Sequence, residues 1–252
     1  MKTMRKKISL LLVLSAVLFL SSCLDSGDSS YIGDNEYSYI TRDEASGTIY
    51  ARTLAGYFIT SSKISLLTPG TVAFLTYQIT EETETISIGE NVLVYKVGMG
   101  AEPIEIDQTT LQLTAAPSNV DTVYFESLVE PIYAENEYFG DRWLFPYTFK
   151  AKKGENFSVK FYKANETEPN QSANNEVIID VRLEKMGTAE SGATEKLEGD
   201  YIAANFSALR NVLVDDAGTD GKINIRFRYF RADQPEQLYK SNKYYSIRIA
   251  QE

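Results

Sequence analysis

The chain has 252 residues, and its 25 basic and 35 acidic side chains give a net charge of −10. This charge argues against nucleic acid and anionic lipid head groups as partners, whereas an apolar fraction of 43% is enough for a folded core. The sequence has no histidine and one cysteine, which excludes histidine-dependent triads and the common zinc and iron sites.

The first 22 residues have the pattern of a bacterial lipoprotein signal peptide. MKTMRKK is basic, and residues 8–20 are apolar apart from two serines, a stretch too short to span a bilayer. The following Leu20-Ser21-Ser22-Cys23 resembles the lipobox of bacterial lipoproteins. That resemblance implies cleavage before Cys23 and a diacylglyceryl thioether on its sulfur. The alternative is an ordinary secretion signal that happens to end near a cysteine.

The residue after the cysteine bears on location. Leu24 stands where an aspartate would signal retention in the inner membrane. We therefore expect lipid anchoring in the outer membrane of a Gram-negative envelope, facing the periplasm or the cell surface. Residues 23–36 are polar and acidic, which predicts a flexible tether between the lipid and the fold.

Beyond the tether, apolar residues alternate with polar ones in at least six segments. These are TVAFLTYQIT, NVLVYKV, NFSVKFYK, EVIIDVRLEK, KINIRFRYF and KYYSIRIA. A period of two predicts antiparallel β-sheet with one wet face. NFSALRNVL is the helix candidate, with Asn205 as its possible N-cap.

Glycines, prolines and small polar residues around 98–121 predict a domain boundary. We place one domain at 37–107 and a second at 108–252. About five short strands before the boundary suit a small barrel, and seven or eight after it suit a sandwich. The predicted fold is therefore all-β, a small barrel followed by an antiparallel β-sandwich.

The order and spacing of these segments resemble the NigD-like lipoproteins. The resemblance rests on the signal and cysteine, GENVLVYKV near the end of the first domain, and FSALRNVL followed by GKINIRFRYFR in the second. It implies an N-terminal OB-type barrel and a C-terminal β-sandwich. The chain departs from many such proteins because it lacks a run of aspartates after the cysteine. The family carries no established activity, and its name reflects an association with bacteriocin loci.

The aromatic segment ENEYFGDRWLFPYTF, residues 135–149, is the first candidate ligand site. Trp143, Tyr138 and Tyr147 could stack on a sugar, with Arg142 and Asp141 as polar neighbours. The alternative is a core strand of the sandwich anchored by the tryptophan.

The barrel offers a second candidate face. OB barrels bind oligosaccharides or single strands on one face, and here that segment offers Tyr50, Arg52, Tyr57 and Phe58. The acidic charge of the chain argues against a nucleic acid there.

Two further signals carry alternatives. VDDAGTDGK places Asp215, Asp216 and Asp220 together, but an EF-type loop starting at Asp216 fails at two ligand positions. Weak cation binding by these aspartates competes with a plain acidic connection into the next strand. Asp-Thr-Val around Thr122 matches a short O-glycosylation pattern, against an ordinary strand start.

These observations predict a non-enzymatic binding or scaffolding protein without a cofactor, attached to the membrane through lipid on Cys23. One alternative is a module that binds a carbohydrate or a protein ligand at the cell surface. The other, drawn from the family resemblance, is self-protection against a secreted bacteriocin. Neither alternative includes nucleic acid as a partner.

Overall fold

The computed structural model describes residues 30–89, 92–118, 122–165, 176–213 and 221–249. These residues form two β-sheets and one short α-helix, with 3-10 turns at Ile64–Leu66 and Glu137–Phe139. The prediction of an all-β protein built from a barrel and a sandwich is confirmed. Within the described ranges, none of the helical segments has the length and apolar character needed to cross a membrane.

The first sheet contains eight strands. They are β1 (Tyr31–Arg42), β2 (Ile49–Thr53), β3 (Phe58–Thr60), β4 (Val72–Ile79), β5 (Thr85–Ile88), β6 (Val92–Lys96), β7 (Gly98–Met99) and β8 (Ile104–Glu105). Ile40, Ala51, Ile59 and Leu75 are fully buried in its centre. Alternation along these strands directs one face inward, as the period of two predicts.

Two short strands close this sheet into a barrel. β6 and β7 are separated by Val97 alone, so they act as one interrupted strand. β6 runs parallel to β3 with Tyr95 opposite Ile59, and β7 pairs with β4 with Met99 opposite Tyr77. Since β4 pairs with β1, and β1 continues through β2 to β3, the sheet returns to its start. This is the strand order of an OB-type barrel.

β1 begins at Tyr31, so the prediction of a flexible tether over 23–36 is wrong for residues 31–36. These residues pair with β4, and the Glu36 carboxylate accepts hydrogen bonds from the hydroxyl groups of Tyr31 and Tyr77. Glu36 and Tyr77 of β4 are 41 residues apart in the sequence. The polar composition of the segment gave no sign of this distant partner.

The second sheet contains ten strands. They are β9 (Gln108–Thr110), β10 (Thr122–Val123), β11 (Phe125–Leu128), β12 (Arg142–Lys152), β13 (Asn156–Lys163), β14 (Glu176–Met186), β15 (Glu195–Asn205), β16 (Lys222–Arg231), β17 (Gln234–Lys240) and β18 (Tyr245–Arg248). Most pairings are antiparallel, but β14 with β16, β11 with β16 and β9 with β15 are parallel.

The predicted helix is present as α1 (Ser207–Val212). Its N-cap residue is Phe206, which makes no side-chain cap bond, rather than Asn205. The Asn205 amide oxygen instead accepts a hydrogen bond from the backbone N–H of Ser207 at 3.0 Å. α1 directs Leu209 into the sandwich core.

Aromatic side chains fill the core of the sandwich. Phe145 of β12 lies 4.9 Å from Phe161 of β13 and 5.0 Å from Phe227 of β16, measured between ring centroids. Phe206 packs against all three rings. Burying one such side chain stabilises the fold by about 2 kcal/mol, so this cluster holds β12, β13 and β16 together.

The two domains share an apolar interface. β8 pairs with β4 of the barrel and β9 pairs with β15 of the sandwich, so the chain passes between the sheets at residues 106–107. Tyr37 of β1 is buried against Phe139 at 5.1 Å, and its hydroxyl donates to the Arg142 carbonyl oxygen at 3.0 Å. From the other side, the Tyr138 hydroxyl donates to the Thr53 carbonyl oxygen at 3.0 Å.

Candidate functional site

A groove of about 810 Å³ opens at one end of the sandwich. It lies between the far end of the β12–β15 ribbon, the turn that joins β12 to β13, and the segment 190–194. Its apolar floor consists of Tyr147, Phe149, Ala151 and Phe157. Its volume falls in the range of ligand-binding clefts.

The groove forms along the inward face of the β12–β15 ribbon, which is buried in the core at one end and exposed on β15 at the other. On β12 the inward residues continue as Tyr147 and Phe149. Directly opposite them on β15 lie Asp200 and Glu198. All residues from 195 to 201 are exposed although they belong to a regular strand. The ribbon therefore presents polar side chains along one wall of the groove.

A tight turn fixes the opposite wall. Gly154 has a φ of 92°, and a Cβ there would lie 2.9 Å from the Thr188 carbonyl oxygen. The backbone N–H of Glu190 donates to the Lys153 carbonyl oxygen at 2.8 Å, and their side chains form an ion pair of the same length. The segment before β15 is thus held against the β12–β13 turn.

Some charged side chains around the groove are paired within the fold, and others are not. Glu155 accepts from the backbone N–H of Lys152 at 2.8 Å and from the Lys185 ammonium at 3.4 Å, and these contacts lower the pKa of Glu155. Lys196 and Glu198 are exposed and form no ion pair with any residue that the structure describes. They remain available to a binding partner.

Tyr147 is a protonated donor at the groove floor. Burial raises the pKa of Tyr147 far above its ordinary value, and the nearby Asp200 carboxylate adds to the effect. The Tyr147 hydroxyl donates to one carboxylate oxygen of Asp200 at 3.4 Å. The other carboxylate oxygen of Asp200 accepts a hydrogen bond from the Tyr201 backbone N–H at 2.8 Å. Asp200 is therefore oriented by two donors.

The carboxyl groups with a shifted pKa share one direction of shift. Where the pKa of a carboxyl group departs from its ordinary value, at Asp43, Glu135 and Glu155, it is lowered. A general acid needs the opposite shift. Across the described ranges, no group of three or more acidic or cysteine side chains could hold a metal ion.

The predicted ligand residues do not form one exposed patch, which corrects that interpretation of 135–149. Trp143 is 0% exposed and stacks on Tyr133 at 4.1 Å between ring centroids. Because odd-numbered residues of β12 face the aromatic core, the core-strand alternative is the one that the structure shows for Trp143. Tyr147 lies on the same face, at the groove end.

The other three predicted ligand residues serve the interface and the core. Asp141 is buried and accepts from the Arg210 guanidinium at 2.6 and 2.7 Å. Arg142 lies over the ring of Tyr39 at 5.4 Å, and Tyr138 bonds to the barrel. The polar groups of Asp141 and Tyr138 are therefore used within the fold.

Two of the four barrel residues predicted to offer a ligand face, Arg52 and Phe58, contact the sandwich, whereas Tyr50 is buried in a cluster within the barrel. The Arg52 guanidinium donates to the carbonyl oxygens of Glu137 and Tyr138 at 3.4 and 3.3 Å. Phe58 contacts the ring of Tyr138 at 6.2 Å. Tyr57 packs instead on Tyr31 and Tyr95. A ligand at Arg52 or Phe58 would have to displace these contacts with the second domain.

Several predicted positions lie outside the described residues. These are Cys23 and the three aspartates Asp215, Asp216 and Asp220. Thr122 belongs to β10, and its side chain is not described.

The residues of the groove wall, Lys196, Glu198 and Asp200, were not among the predicted site residues, and neither was Arg210. EKLEGDYIAAN has the composition of an acidic loop because its first half is charged. A usable signal was present, since Leu197 and Tyr201 alternate with the charges over five residues.

Comparisons with known proteins show the fold. An uncharacterized protein from Parabacteroides merdae is 14% identical with a TM-score of 0.55, covering 88% of this chain and 100% of that one. A candidate lipoprotein from Bacteroides fragilis is 15% identical with a TM-score of 0.55, covering 88% and 99%. A candidate toxin-related protein from Parabacteroides distasonis is 12% identical with a TM-score of 0.51, covering 86% and 93%.

A NigD-like immunity protein from Bacteroides caccae also matches, at 14% identity and a TM-score of 0.46. A likeness at that level carries no argument about family, so the NigD-like resemblance rests on the sequence pattern. No family model matches the chain. No curated protein matches it either.

Proposed function

We propose that this chain is a lipid-anchored protein of the outer membrane that binds a polypeptide through the groove of its sandwich domain and catalyses no reaction. The groove carries the proposal. It combines an apolar floor, charges of both signs without a described ion-pair partner, and a regular strand as one wall. These are the elements with which proteins recognise extended polypeptides.

A polypeptide fits the groove better than a sugar. Sugar-binding sites present aromatic faces to solvent, whereas Tyr147 and Phe149 are buried and stack on each other at 5.6 Å. Lys196 and Glu198 offer charges of opposite sign two residues apart. The self-protection alternative rests on the family resemblance, and no described residue favours it.

The anchor proposal is supported by the sequence pattern at Cys23. β1 begins at Tyr31, so seven residues separate Cys23 from the barrel. Fully extended, they span at most about 25 Å. The barrel would therefore lie close to the membrane surface.

Labelling cells with an alkyne fatty acid tests the anchor. Wild-type protein should carry the label and fractionate with the outer membrane. The Cys23→Ala variant should carry none, and label on that variant would refute lipidation at this residue.

Photo-crosslinking tests the groove. Ser191 lines the groove and is exposed, so a benzoylphenylalanine placed there faces its occupant. Leu66, 86% exposed on the barrel, provides the control position. On whole cells of the producing bacterium, residue 191 should yield a protein adduct that residue 66 does not. The adduct should weaken in Lys196→Glu, and the absence of any protein adduct at 191 would overturn the proposal.

A further inference from the structure

β15 has an open edge along most of its length. β12 pairs with all eleven residues of β15, from Glu195 to Asn205, on one side. On the other side, β9 pairs only with residues 203–205. Among the described strands, none covers the edge from 195 to 201. Long exposed edges are sites where another strand can add to a sheet.

The hydrogen-bonding groups on this edge can be assigned from the β9 pairing. The Ala203 N–H donates to the Asp107 carbonyl oxygen, and the Asn205 carbonyl oxygen accepts from the Leu111 N–H. Residues 203 and 205 therefore direct their backbone groups away from β12. Because these directions alternate along a strand, residues 195, 197, 199 and 201 do the same.

One of these outward groups is already used. The Tyr201 N–H donates to the Asp200 carboxylate at 2.8 Å, which caps the edge beside β9. Glu195, Leu197 and Gly199 keep outward backbone groups without a described partner. The open stretch is therefore five residues long, with Leu197 at its centre and 64% exposed.

We propose that this edge binds a second copy of the chain, with the two β15 strands antiparallel and Leu197 on the two-fold axis. In this register Leu197 lies opposite the second copy's Leu197, and Glu195 lies opposite the second copy's Gly199. Lys196 lies opposite the second copy's Glu198, and Glu198 lies opposite the second copy's Lys196. The inference deepens the proposed function, because it names the polypeptide that contacts the groove wall.

Charge selects this register from the alternatives. A two-fold axis at residue 195, 196, 198 or 200 places a charged residue opposite itself. An axis at residue 199 places Glu198 opposite Asp200. Like charges directly opposite each other destabilise a strand pair. Of the six axes from 195 to 200, only the one at Leu197 avoids them, and it adds two Lys196–Glu198 pairs.

The geometry of the pairing strengthens those contacts. Residues 195, 197 and 199 direct backbone groups outward and form the hydrogen-bonded pairs. Lys196 and Glu198 fall in the non-hydrogen-bonded pair, where Cα atoms approach to about 4.5 Å and side chains lie closest. The contact is short, and anchoring of both copies in one membrane raises their effective concentration.

A cysteine on the axis gives a direct test in whole cells that produce the full-length chain. In a hydrogen-bonded pair the Cα atoms are about 5.5 Å apart, inside the range that a disulfide bridges. Leu197→Cys should form a disulfide dimer under mild oxidation, whereas Leu66→Cys, at another exposed leucine, should not. The unsubstituted chain controls for Cys23.

Charge reversal distinguishes a disulfide formed in the proposed register from one formed by random encounters between two copies. In the Leu197→Cys background, Lys196→Glu or Glu198→Lys alone should strongly reduce the dimer, because like charges then face each other twice. The two reversals combined should restore it. Trp143 fluorescence confirms that each variant is folded.

The possible outcomes distinguish this inference from the proposed function. A crosslink from residue 191 to a different protein, without a disulfide at 197, leaves the groove as a polypeptide site and overturns the second copy as its occupant. A dimer that is insensitive to charge reversal overturns the register. Absence of both products overturns both proposals.

Discussion

Gly140 lies where the sandwich meets the barrel. Its φ is 57°, in the left-handed region, and a Cβ at this position would lie 2.5 Å from the ring of Tyr39. Only glycine avoids both the backbone penalty and the collision. The close approach brings the aromatic rings of the two domains into contact.

We predict that Gly140→Ala lowers the free energy of unfolding by about 3 kcal/mol, of which the left-handed backbone accounts for about 1 kcal/mol. Gly47→Ala is the matched control. Its φ is 71° and a Cβ added at this position would have no neighbour within 4 Å, so the substitution should cost about 1 kcal/mol. Urea unfolding of both variants measures the difference. Equal losses would show that the Tyr39 contact is unimportant.

Glu135 provides a pH-dependent contact between strand ends. The Lys222 ammonium donates to it at 2.6 Å and the Ser246 hydroxyl donates to its second oxygen, and these bonds lower the pKa of Glu135 from its usual value near 4.5. A carboxyl group whose pKa is lower in the folded state stabilises the fold above its unfolded pKa. That stabilisation disappears as the pH falls through the lowered value.

Unfolding of wild type and Glu135→Gln should therefore differ at pH 7 and converge as the pH falls through the lowered pKa of Glu135. Thermal melts across this range measure the gap between their Tm values. Glu126→Gln serves as a comparison, since Glu126 pairs with the exposed Lys150. A gap at Glu135 that stays constant with pH would contradict the assignment.

At the scale of elements, the backbone directions along β15 make a prediction that does not depend on any partner. The Leu197 N–H points to the open edge, whereas the Glu198 N–H points to β12 by the alternation of the strand. Proline removes one backbone donor. Its effect therefore depends on which of the two positions it occupies.

Leu197→Pro should keep its Tm close to wild type, and Glu198→Pro should lose about 2 kcal/mol because a ladder hydrogen bond is broken. Differential scanning fluorimetry on the two variants compares neighbouring residues that are both exposed. If the two losses are reversed, the assignment of the edge is wrong and the proposed pairing fails with it.

The elements that could be predicted from sequence are those whose alternation is apolar. KINIRFRYF became β16 with Ile223, Ile225 and Phe227 buried, as the period of two predicts. β15 and the first residues of β1 were missed because their pairing with β12 and β4 is long-range and their side chains are polar. Composition indicates which side chains are buried, whereas these strands are held in place by backbone hydrogen bonds to strands that are distant in the sequence.

The candidate site was missed for the same reason. From the sequence, Trp143 could be either an exposed ligand-binding residue or a core residue. The alternation of β12 places it on one face of the strand, but whether that face is buried depends on which strands pack against it. The groove lies at the turn between β12 and β13, and the first residues of β13, Asn156 and Phe157, still line it. Such a groove depends on the relative lengths of distant strands, which no local pattern encodes.

At the scale of the whole molecule, the interface couples two cores of unequal size. Among the described residues, the barrel cluster holds nine buried residues and the main sandwich cluster holds 22. A separate cluster between them includes Tyr37 from the barrel with Phe139 and Leu144 from the sandwich. The smaller barrel therefore depends on this contact for part of its stability.

We predict that Tyr37→Ala uncouples the two domains. The variant loses a buried aromatic ring and its bond to the Arg142 carbonyl oxygen, at a cost of about 4 kcal/mol. Trp143 is the sole tryptophan and reports on the sandwich, whereas far-UV circular dichroism reports on both domains.

In wild type the two signals should change at one urea concentration, because a shared core makes unfolding cooperative. In Tyr37→Ala the dichroism should begin to fall first, while Trp143 fluorescence stays native until a higher concentration. Tyr50→Ala, a buried tyrosine of the barrel outside the interface cluster, supplies the comparison. Separation of the two signals in wild type would show that the domains unfold independently, and the interface would then not hold the barrel against the sandwich.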